Sequence, residues 1–295
     1  MVYDIVNIRF LKNKFVFMEG LRMKKILSAI LIGVMVLSVM ACSSKDNNST
    51  STDTTGDKGE KKKVVVFTDP NFPPFEYLGE SGEVVGVDME IAKAIATEIN
   101  ADLEIEESKF DAIITALASG KGDFAISGMT ITDERKENVD FSDPYITSVQ
   151  YLIVPDDSSI EKMEDLEGMT VGVALGYTGQ FLMEDEIAEG VLTDKGVEIK
   201  EYNSAMEGTQ DIGNRIDAVV MDEYVAKNIV DNNDSLKAIE LKYADGTLAE
   251  EEYGVAIPKG NEDLVKSINA AIAKLKAENK VAEWCVQYAE DYKAE

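Results

Sequence analysis

Two residues of opposite charge, Arg135 and Asp222, have the chemistry to hold the two ends of a zwitterion. Arg135 closes the stretch Ser127-Gly128-Met129-Thr130-Ile131-Thr132-Asp133-Glu134-Arg135, in which a strand should run into a loop of small and hydroxyl residues and a helix should begin at Asp133. A guanidinium fixed by a helix can fork onto a carboxylate. Ser127, Gly128 and Thr130 offer hydrogen bonds to a polar group at a strand's C-terminal end. The same arginine could instead pair with Glu134, Asp140 or Asp143. Asp222 ends the apolar run Ala218-Val219-Val220-Met221, where its carboxylate could accept an ammonium or cap the next helix. Leu175-Gly176-Tyr177-Thr178-Gly179 should join a strand to a helix. The free N–H groups there suit an anion, unless the segment is a plain turn. Asp69-Pro70-Asn71-Phe72-Pro73-Pro74-Phe75-Glu76 carries two aromatic rings in a proline-stiffened loop. Each ring is either a wall for a ligand or a plug on the end of a sheet. Phe72 and Phe110 together would give flat apolar walls. One arginine with helix amides for a carboxylate, one aspartate for an ammonium and two rings for a side chain describe a free α-amino acid gripped at both charged ends.

Composition narrows the chemistry further. The 295 residues include 29 Lys plus Arg against 56 Asp plus Glu, a formal net charge of -27. So acidic a surface repels phosphate backbones and argues against a nucleic-acid partner. There is no histidine, which removes histidine general bases, Ser-His-Asp and Cys-His nucleophiles and His-based metal sites. Two cysteines, Cys42 and Cys285, cannot build a disulfide scaffold or a four-thiolate zinc site.

The elements that must position these residues follow from periodicity. Val64 to Phe67 reads as a strand buried on both faces. A helix capped by Asp88, with Ile91, Ile95 and Ile99 on one stripe, ends near Asn100. A strand around 103–105, a helix carrying Ile113, Ile114 and Leu117 that stops at Gly120, and a short strand at 124–126 complete a β-α-β-α-β run, which predicts a parallel sheet covered on both faces. The pattern repeats with strands at 170–174, 199–202 and 218–220, helices at 180–187, near 206 and from 223, then a strand at 253–257, a helix over 262–277 and a last amphipathic segment with Val281, Trp284 and Tyr288. Two α/β lobes leave a cleft between them, where ligands usually sit.

The N-terminus reads as an address. Met23-Lys24-Lys25 precedes a mostly apolar run to Met40, too short for the roughly 20 residues of a membrane span. The run ends in Val39-Met40-Ala41-Cys42, which resembles the lipobox of bacterial lipoproteins; an ordinary signal peptide with an incidental cysteine is the other reading. Residues 23–41 are therefore expected to be a signal peptide cut before Cys42, whose thiol is acylated. Asp4 and Glu19 interrupt residues 1–22, and translation is expected to start at Met23. Residues 42–63 read as a disordered polar tether, or as a glycosylated stalk, that holds a folded body off a surface.

Over about residues 64–289 the chain resembles the family 3 solute-binding proteins of polar amino acid ABC transporters. Besides the proline loop, the resemblance rests on Val85-Gly86-Val87-Asp88, the 128–135 stretch, Val139-Asp140-Phe141-Ser142-Asp143-Pro144-Tyr145 and Tyr253-Gly254-Val255-Ala256-Ile257-Pro258-Lys259-Gly260, in this order. It implies an α/β, two-lobed periplasmic-binding-protein-like fold of type 2. Lobe 1 would span 64–150 plus 244–295 and lobe 2 would span 151–243, with two hinge segments and a cleft between. By the same resemblance Arg135 binds the ligand carboxylate with amides at Thr130 and Thr178. Asp222 takes the α-ammonium with the Ser127 and Gly128 backbone and the Thr130 hydroxyl. Asp69, Phe72, Phe110 and Ala174 face the side chain. The match is loose at Ile212-Gly213-Asn214-Arg215, where relatives more often read Asn-Gly-Arg, and at Ala174-Leu175, which vary with ligand. The implied protein is a monomer that needs neither cofactor nor metal. It is held to the outer or periplasmic face of the membrane only by its lipid anchor, and it hands its ligand to permease subunits. Asp69 and the acidic surface favour Arg, Lys or His, with glutamine or cystine as the other ligands to weigh. Two other classes use the same fold. A receptor's sensing module would carry a C-terminal span, and no apolar run precedes Lys293-Ala294-Glu295. A dehydratase-like enzyme would need Glu76 or Asp69 as a general acid.

Overall fold

The computed structural model describes residues 61–294, with side chains through Tyr292. The readings of residues 1–60, Cys42 among them, lie outside the described residues. Strand β1 (Lys62–Thr68) is followed by a small antiparallel meander, β2 (Asn71–Phe72), β3 (Glu76–Leu78) and β4 (Val84–Val85). Helix α1 (Val87–Glu98), β5 (Ala101–Glu107), α2 (Phe110–Ala118), β6 (Phe124–Ala125), the single turn α3 (Asp133–Lys136) and β7 (Val139–Phe141) complete the first half. Then come β8 (Ile146–Pro155), β9 (Thr170–Ala174), α4 (Thr178–Ala188), β10 (Glu198–Tyr202), α5 (Ala205–Thr209), β11 (Ala218–Asp222), α6 (Glu223–Asp231) and β12 (Leu236–Glu240). The chain closes with β13 (Glu250–Tyr253), β14 (Ala256–Pro258), α7 (Glu262–Ala277) and α8 (Lys280–Ala294).

The strands form two main sheets, one per lobe: β5-β1-β6-β14-β7 and β10-β9-β11-β8-β12. Each has four strands running the same way, three of them adjacent and paired in parallel, as the βαβ pattern predicts. Each is nevertheless mixed, because β14 runs antiparallel to β6 and β7, and β8 runs antiparallel to β11 and β12. The expected parallel sheet thus holds for the adjacent strands of each βαβ run, with one reversed strand added to each. Strands β8 and β14 enter their sheets directly from the crossing segments rather than through a right-handed helical crossover. The first residues of β8, Ile146 to Val149, pair instead with β13, while Tyr151 to Pro155 run through the second sheet. One ten-residue strand thus links a hinge ladder to a lobe core.

Local sequence explains the elements that hold the site. Helix α1 buries Ile91, Ile95, Ala92 and Ala96 on one face, and each isoleucine contributes about 1.5–3 kcal/mol by leaving water. Its start differs from expectation: Gly86 occupies the cap and Asp88 lies in the first turn. A β-carbon at 86 would lie 2.1 Å from the Phe75 carbonyl oxygen, so only glycine, at φ 127°, fits there. Asp88 is thereby turned inward and serves the site rather than the helix end. Helix α8 packs its Val281 and Cys285 into the main core. Burial pushes the Cys285 thiol up to about 12, and it is free. Among the described residues no helix is long and apolar enough to cross a membrane.

Candidate ligand-binding cleft

Arg135 is placed by the short helix α3, whose cap is Thr132: the Arg135 N–H donates to Thr132 Oγ1 at 3.1 Å. The guanidinium is buried. It donates to the Thr130 carbonyl at 2.7 Å and, across the cleft, to the Gly176 carbonyl at 2.9 Å, and it lies 5.2 Å from the Phe110 ring centroid. Asp140 is held elsewhere, by Lys259 Nζ and the Gly260 amide. The surface ion pair offered as the other role of Arg135 is therefore not what the side chain does. Burial pulls its pKa down, and the fields of Glu251 and Asp222 oppose that shift.

The hydroxyl end is built from both lobes. Thr130 Oγ1 and Thr178 Oγ1 each donate to Glu251 Oε2 at 2.7 Å and stand 3.4 Å apart. Gln150, on β8, donates through Nε2 to Glu251 Oε1 at 2.7 Å and to Asp222 Oδ1 at 2.5 Å. Tyr253 OH donates to the other Asp222 oxygen. Asp222 begins helix α6 but makes no side-chain cap bond, so its carboxylate belongs to the cleft. Burial, then the neighbouring Glu251, raises its pKa well above the usual carboxylate range. An incoming ammonium would meet two carboxylates here, and a carboxylate would meet Arg135 and two hydroxyls.

The aromatic side is tighter than the sequence implied. Phe72 and Phe75 are both buried, but they divide the two roles left open for them. Phe75 stacks edge-on to Tyr224 and Tyr253 and is core. Phe72 lies against Gly128, where a β-carbon would come within 2.4 Å of its ring. The ring of Tyr177 sits between Phe72 and Phe110, with centroids at 5.7 Å and 4.2 Å. Asp69 accepts from the Phe110 amide at 2.9 Å, and its own amide donates to Ser127 Oγ at 3.0 Å. Burial raises the pKa of Asp69. Asp69, Asn71, Lys109, Phe110, Leu175 and Asn203 line a cavity of about 400 Å³ at one mouth, where Lys109 Nζ donates to Asn203 Oδ1 at 3.4 Å. Thr130, Gln150, Thr178 and Glu251 line one of about 650 Å³ at the other. Ala174 ends β9, buried, and its carbonyl accepts from the Tyr177 amide at 3.2 Å.

Behind the Ser127-Gly128 loop lies a carboxyl pair. Glu76 Oε1 accepts from Ser127 Oγ at 2.9 Å. Asp88 Oδ2 accepts from the Gly128 amide at 2.7 Å and from Tyr145 OH at 3.0 Å. Both side chains are fully buried, each shifts the titration of the other, and Glu76 Oε2 and Asp88 Oδ1 meet no other hydrogen-bond donor among the described residues. Two neighbouring carboxylates out of water resist ionising together, so the pair holds one proton. Burial, followed by the charge of Asp88, drives Glu76 well above its usual range, while burial moves Asp88 to about 6. We place the shared proton on Glu76.

The structure thus brings Asp69, Phe72, Phe110, Ser127, Gly128, Thr130, Arg135, Thr178 and Asp222 into one neighbourhood, in which Asp69 and Phe110 line one cavity and Thr130 and Thr178 another. Ala174 lies beside it, behind the turn. Sequence reasoning missed Gln150, Glu251 and Tyr177. Gln150 was visible as a polar residue inside the apolar run Val149 to Val154. Glu251 stands among three consecutive glutamates and gave no signal. Among the described residues no group of acidic or thiol side chains is placed to hold a metal ion.

Residues 64–291 match the profile of the bacterial extracellular solute-binding proteins, family 3. The chain is 32% identical over 255 residues to the arginine-binding extracellular protein ArtP of Bacillus subtilis, covering 86% of this chain and 93% of that protein. It is 32% identical to the L-cystine-binding protein TcyJ of Escherichia coli, covering 73% and 78%. An ancestral arginine-binding protein bound to arginine shares 38% identity at a TM-score of 0.69, covering 78% of this chain and 99% of that one. AbpA of Streptococcus pneumoniae bound to L-arginine shares 31% at 0.71, covering 78% and 95%. The chain belongs to the bacterial extracellular solute-binding proteins, family 3.

Proposed function

We propose that this chain is the substrate-binding lipoprotein of an amino acid ABC importer, which closes on a polar amino acid, with basic side chains favoured, and delivers it to permease subunits. The observation that carries the reading is that opposite charges are buried in one cluster: Arg135, held on the Thr130 and Gly176 carbonyls, and Asp222, linked through Gln150 and Glu251 to the Thr130 and Thr178 hydroxyls. Arg135 takes the α-carboxylate with the Thr130 and Thr178 amides. Asp222 takes the α-ammonium with the Ser127 and Gly128 backbone and the Thr130 hydroxyl. Phe72, Phe110, Asp69 and Ala174 face the side chain. Residues 64–150 with 244–295 act as one lobe and 151–243 as the other, moving about β8 and β13. Acylated Cys42 anchors a monomer at the outer face of the membrane. The basic preference draws support from Asp69, from the net charge of -27 and from the arginine-binding relatives.

A thermal-shift screen against the twenty amino acids and cystine identifies the ligand, since one present at 100 times its Kd stabilises by about 2.7 kcal/mol. Calorimetry then tests the site. Losing one partner of a buried charged contact costs about 2–5 kcal/mol, so Arg135→Ala and Asp222→Ala should weaken every bound amino acid roughly 30- to several-thousand-fold. Arg135→Ala binding as tightly as the parent would remove the assigned site. For the anchor, Cys42→Ala should move the protein from the membrane fraction to the soluble one; an unacylated, soluble parent protein would refute it.

A further inference from the structure

Tyr177 has no part in the reading above, yet its ring fills the space between the two walls assigned to a ligand's side chain. It enters from the turn before α4, on the second sheet's side, and stacks at 4.2 Å on Phe110 and 5.7 Å from Phe72, both carried by the first half of the chain. It is buried, and burial drives its phenol well above the usual range, with Asp69, Glu76 and Asp222 adding to the shift. Nothing else in that turn reaches so far: Gly176 and Gly179 flank it closely, and Leu175 lies partly exposed at the rim of the 400 Å³ cavity. Neither large cavity includes Tyr177 or Phe72 among its lining residues. Phe110 and Asp69 do line the 400 Å³ cavity, so a side chain can touch Phe110 with Tyr177 in place but can lie against both Phe72 and Phe110 only where the Tyr177 ring leaves room.

We propose that Tyr177 is a specificity-determining gate, an internal occupant of the side-chain slot that a ligand must displace. This rests on the amino-acid-binding reading of the cleft. The cost of expelling the ring falls on every ligand that uses the slot and on none that does not. A side chain recovers it by stacking on both rings, which a flat guanidinium does on either face and a short aliphatic chain cannot. Backbone geometry permits the exchange. Tyr177 has an extended conformation, φ -81° and ψ 156°, ahead of the first helical residue, so the ring can swing about its side-chain torsions without unwinding α4.

The test is calorimetric titration of L-arginine, L-glutamine and L-alanine into the wild type, Tyr177→Ala and Tyr177→Phe. One aromatic stacking interaction corresponds to roughly 3- to 10-fold in affinity. Tyr177→Ala should bind arginine and glutamine tighter by that factor, alanine should change by less than about twofold, and Tyr177→Phe should match the wild type. Arginine binding that weakens, or does not change, in Tyr177→Ala overturns the gate. A second measurement does not depend on that variant folding. In fluorotyrosine-labelled wild type, the Tyr177 resonance, assigned by its loss in Tyr177→Phe, should move on adding arginine; a resonance that stays put overturns the proposal. Arg135→Ala and Asp222→Ala separate the two readings. If they keep full arginine affinity the cleft assignment fails and the gate with it, whereas if they lose it while Tyr177→Ala gains nothing, the gate alone fails.

Discussion

Neighbouring carboxylates out of water hold on to protons, and Asp222, beside Glu251, does so where the α-ammonium is proposed to bind. The raised pKa has a direct thermodynamic consequence. An ammonium placed against Asp222 stabilises the ionised form and expels the proton, so ligand binding should release protons and affinity should rise with pH. Calorimetry in buffers of different ionisation enthalpy reads the number released, and Asp222→Asn should bring it close to zero; a proton count unaffected by that change would place the linkage elsewhere. At this scale the sequence was informative wherever chemistry announced itself. Arg135 and Asp222 stood out because each is a charge at the edge of an apolar strand or a hydroxyl-rich loop. What it could not yield was which partner each charge would choose. Three carboxylates near Arg135 in sequence lost to two backbone carbonyls, that of Thr130 on the preceding loop and that of Gly176 across the cleft, and the glutamate that bridges Thr130 and Thr178 comes from a hinge strand 121 residues after the first of them.

Helix α1, the β2–β3 turn and the loop after β6 are fastened together by one proton. Glu76 leaves β3, Asp88 leaves the first turn of α1, and between them they hold Ser127, Gly128 and Tyr145. Both folded-state pKa values lie above those of the unfolded chain. The folded protein therefore binds more protons than the unfolded one above about pH 4, and the stability this confers is complete below the unfolded values. It falls as pH rises through about 6 for Asp88, and further as Glu76 is forced to ionise. Melting temperature should thus decline as pH rises from about 4 through 6 and above. In Glu76→Gln, which keeps a donor toward Asp88 but cannot titrate, the decline should be shallower; equal slopes would show that the pair is not the source. Element positions were legible from periodicity, since buried stripes at 91, 95 and 268, 272, 275 lie on the faces their spacing requires. Helix starts were less so. Asp88 has the composition of a cap, and only the close approach of the Phe75 carbonyl to residue 86, a contact between segments, assigns that place to glycine.

As a whole the molecule is a strongly acidic body with a cleft of buried carboxylates, and its field extends about 10 Å into 0.1 M salt. Cations are drawn toward such a surface, so the association rate of arginine should fall as salt is raised from 20 to 500 mM while that of glutamine stays nearly level. Stopped-flow measurement of both ligands checks this, and equal slopes would mean that the charge does not steer. The two-lobed plan was legible because the β-α-β pattern occurs twice. The mixed sheets were not, because strand direction after a hinge crossing is set by which lobe the chain enters. The silence of Cys285 has a practical side. A thiol inside α8 with a pKa pushed up to about 12 will hardly react with maleimide at neutral pH. A chain beginning after Cys42 therefore offers an almost blank surface for conjugation. Asn203→Cys, at the rim opposite Lys109, would take a single environment-sensitive dye with Cys285 left in place, and the emission of that dye would follow the mouth opening and closing, turning the protein into a reagentless optical probe for its own ligand.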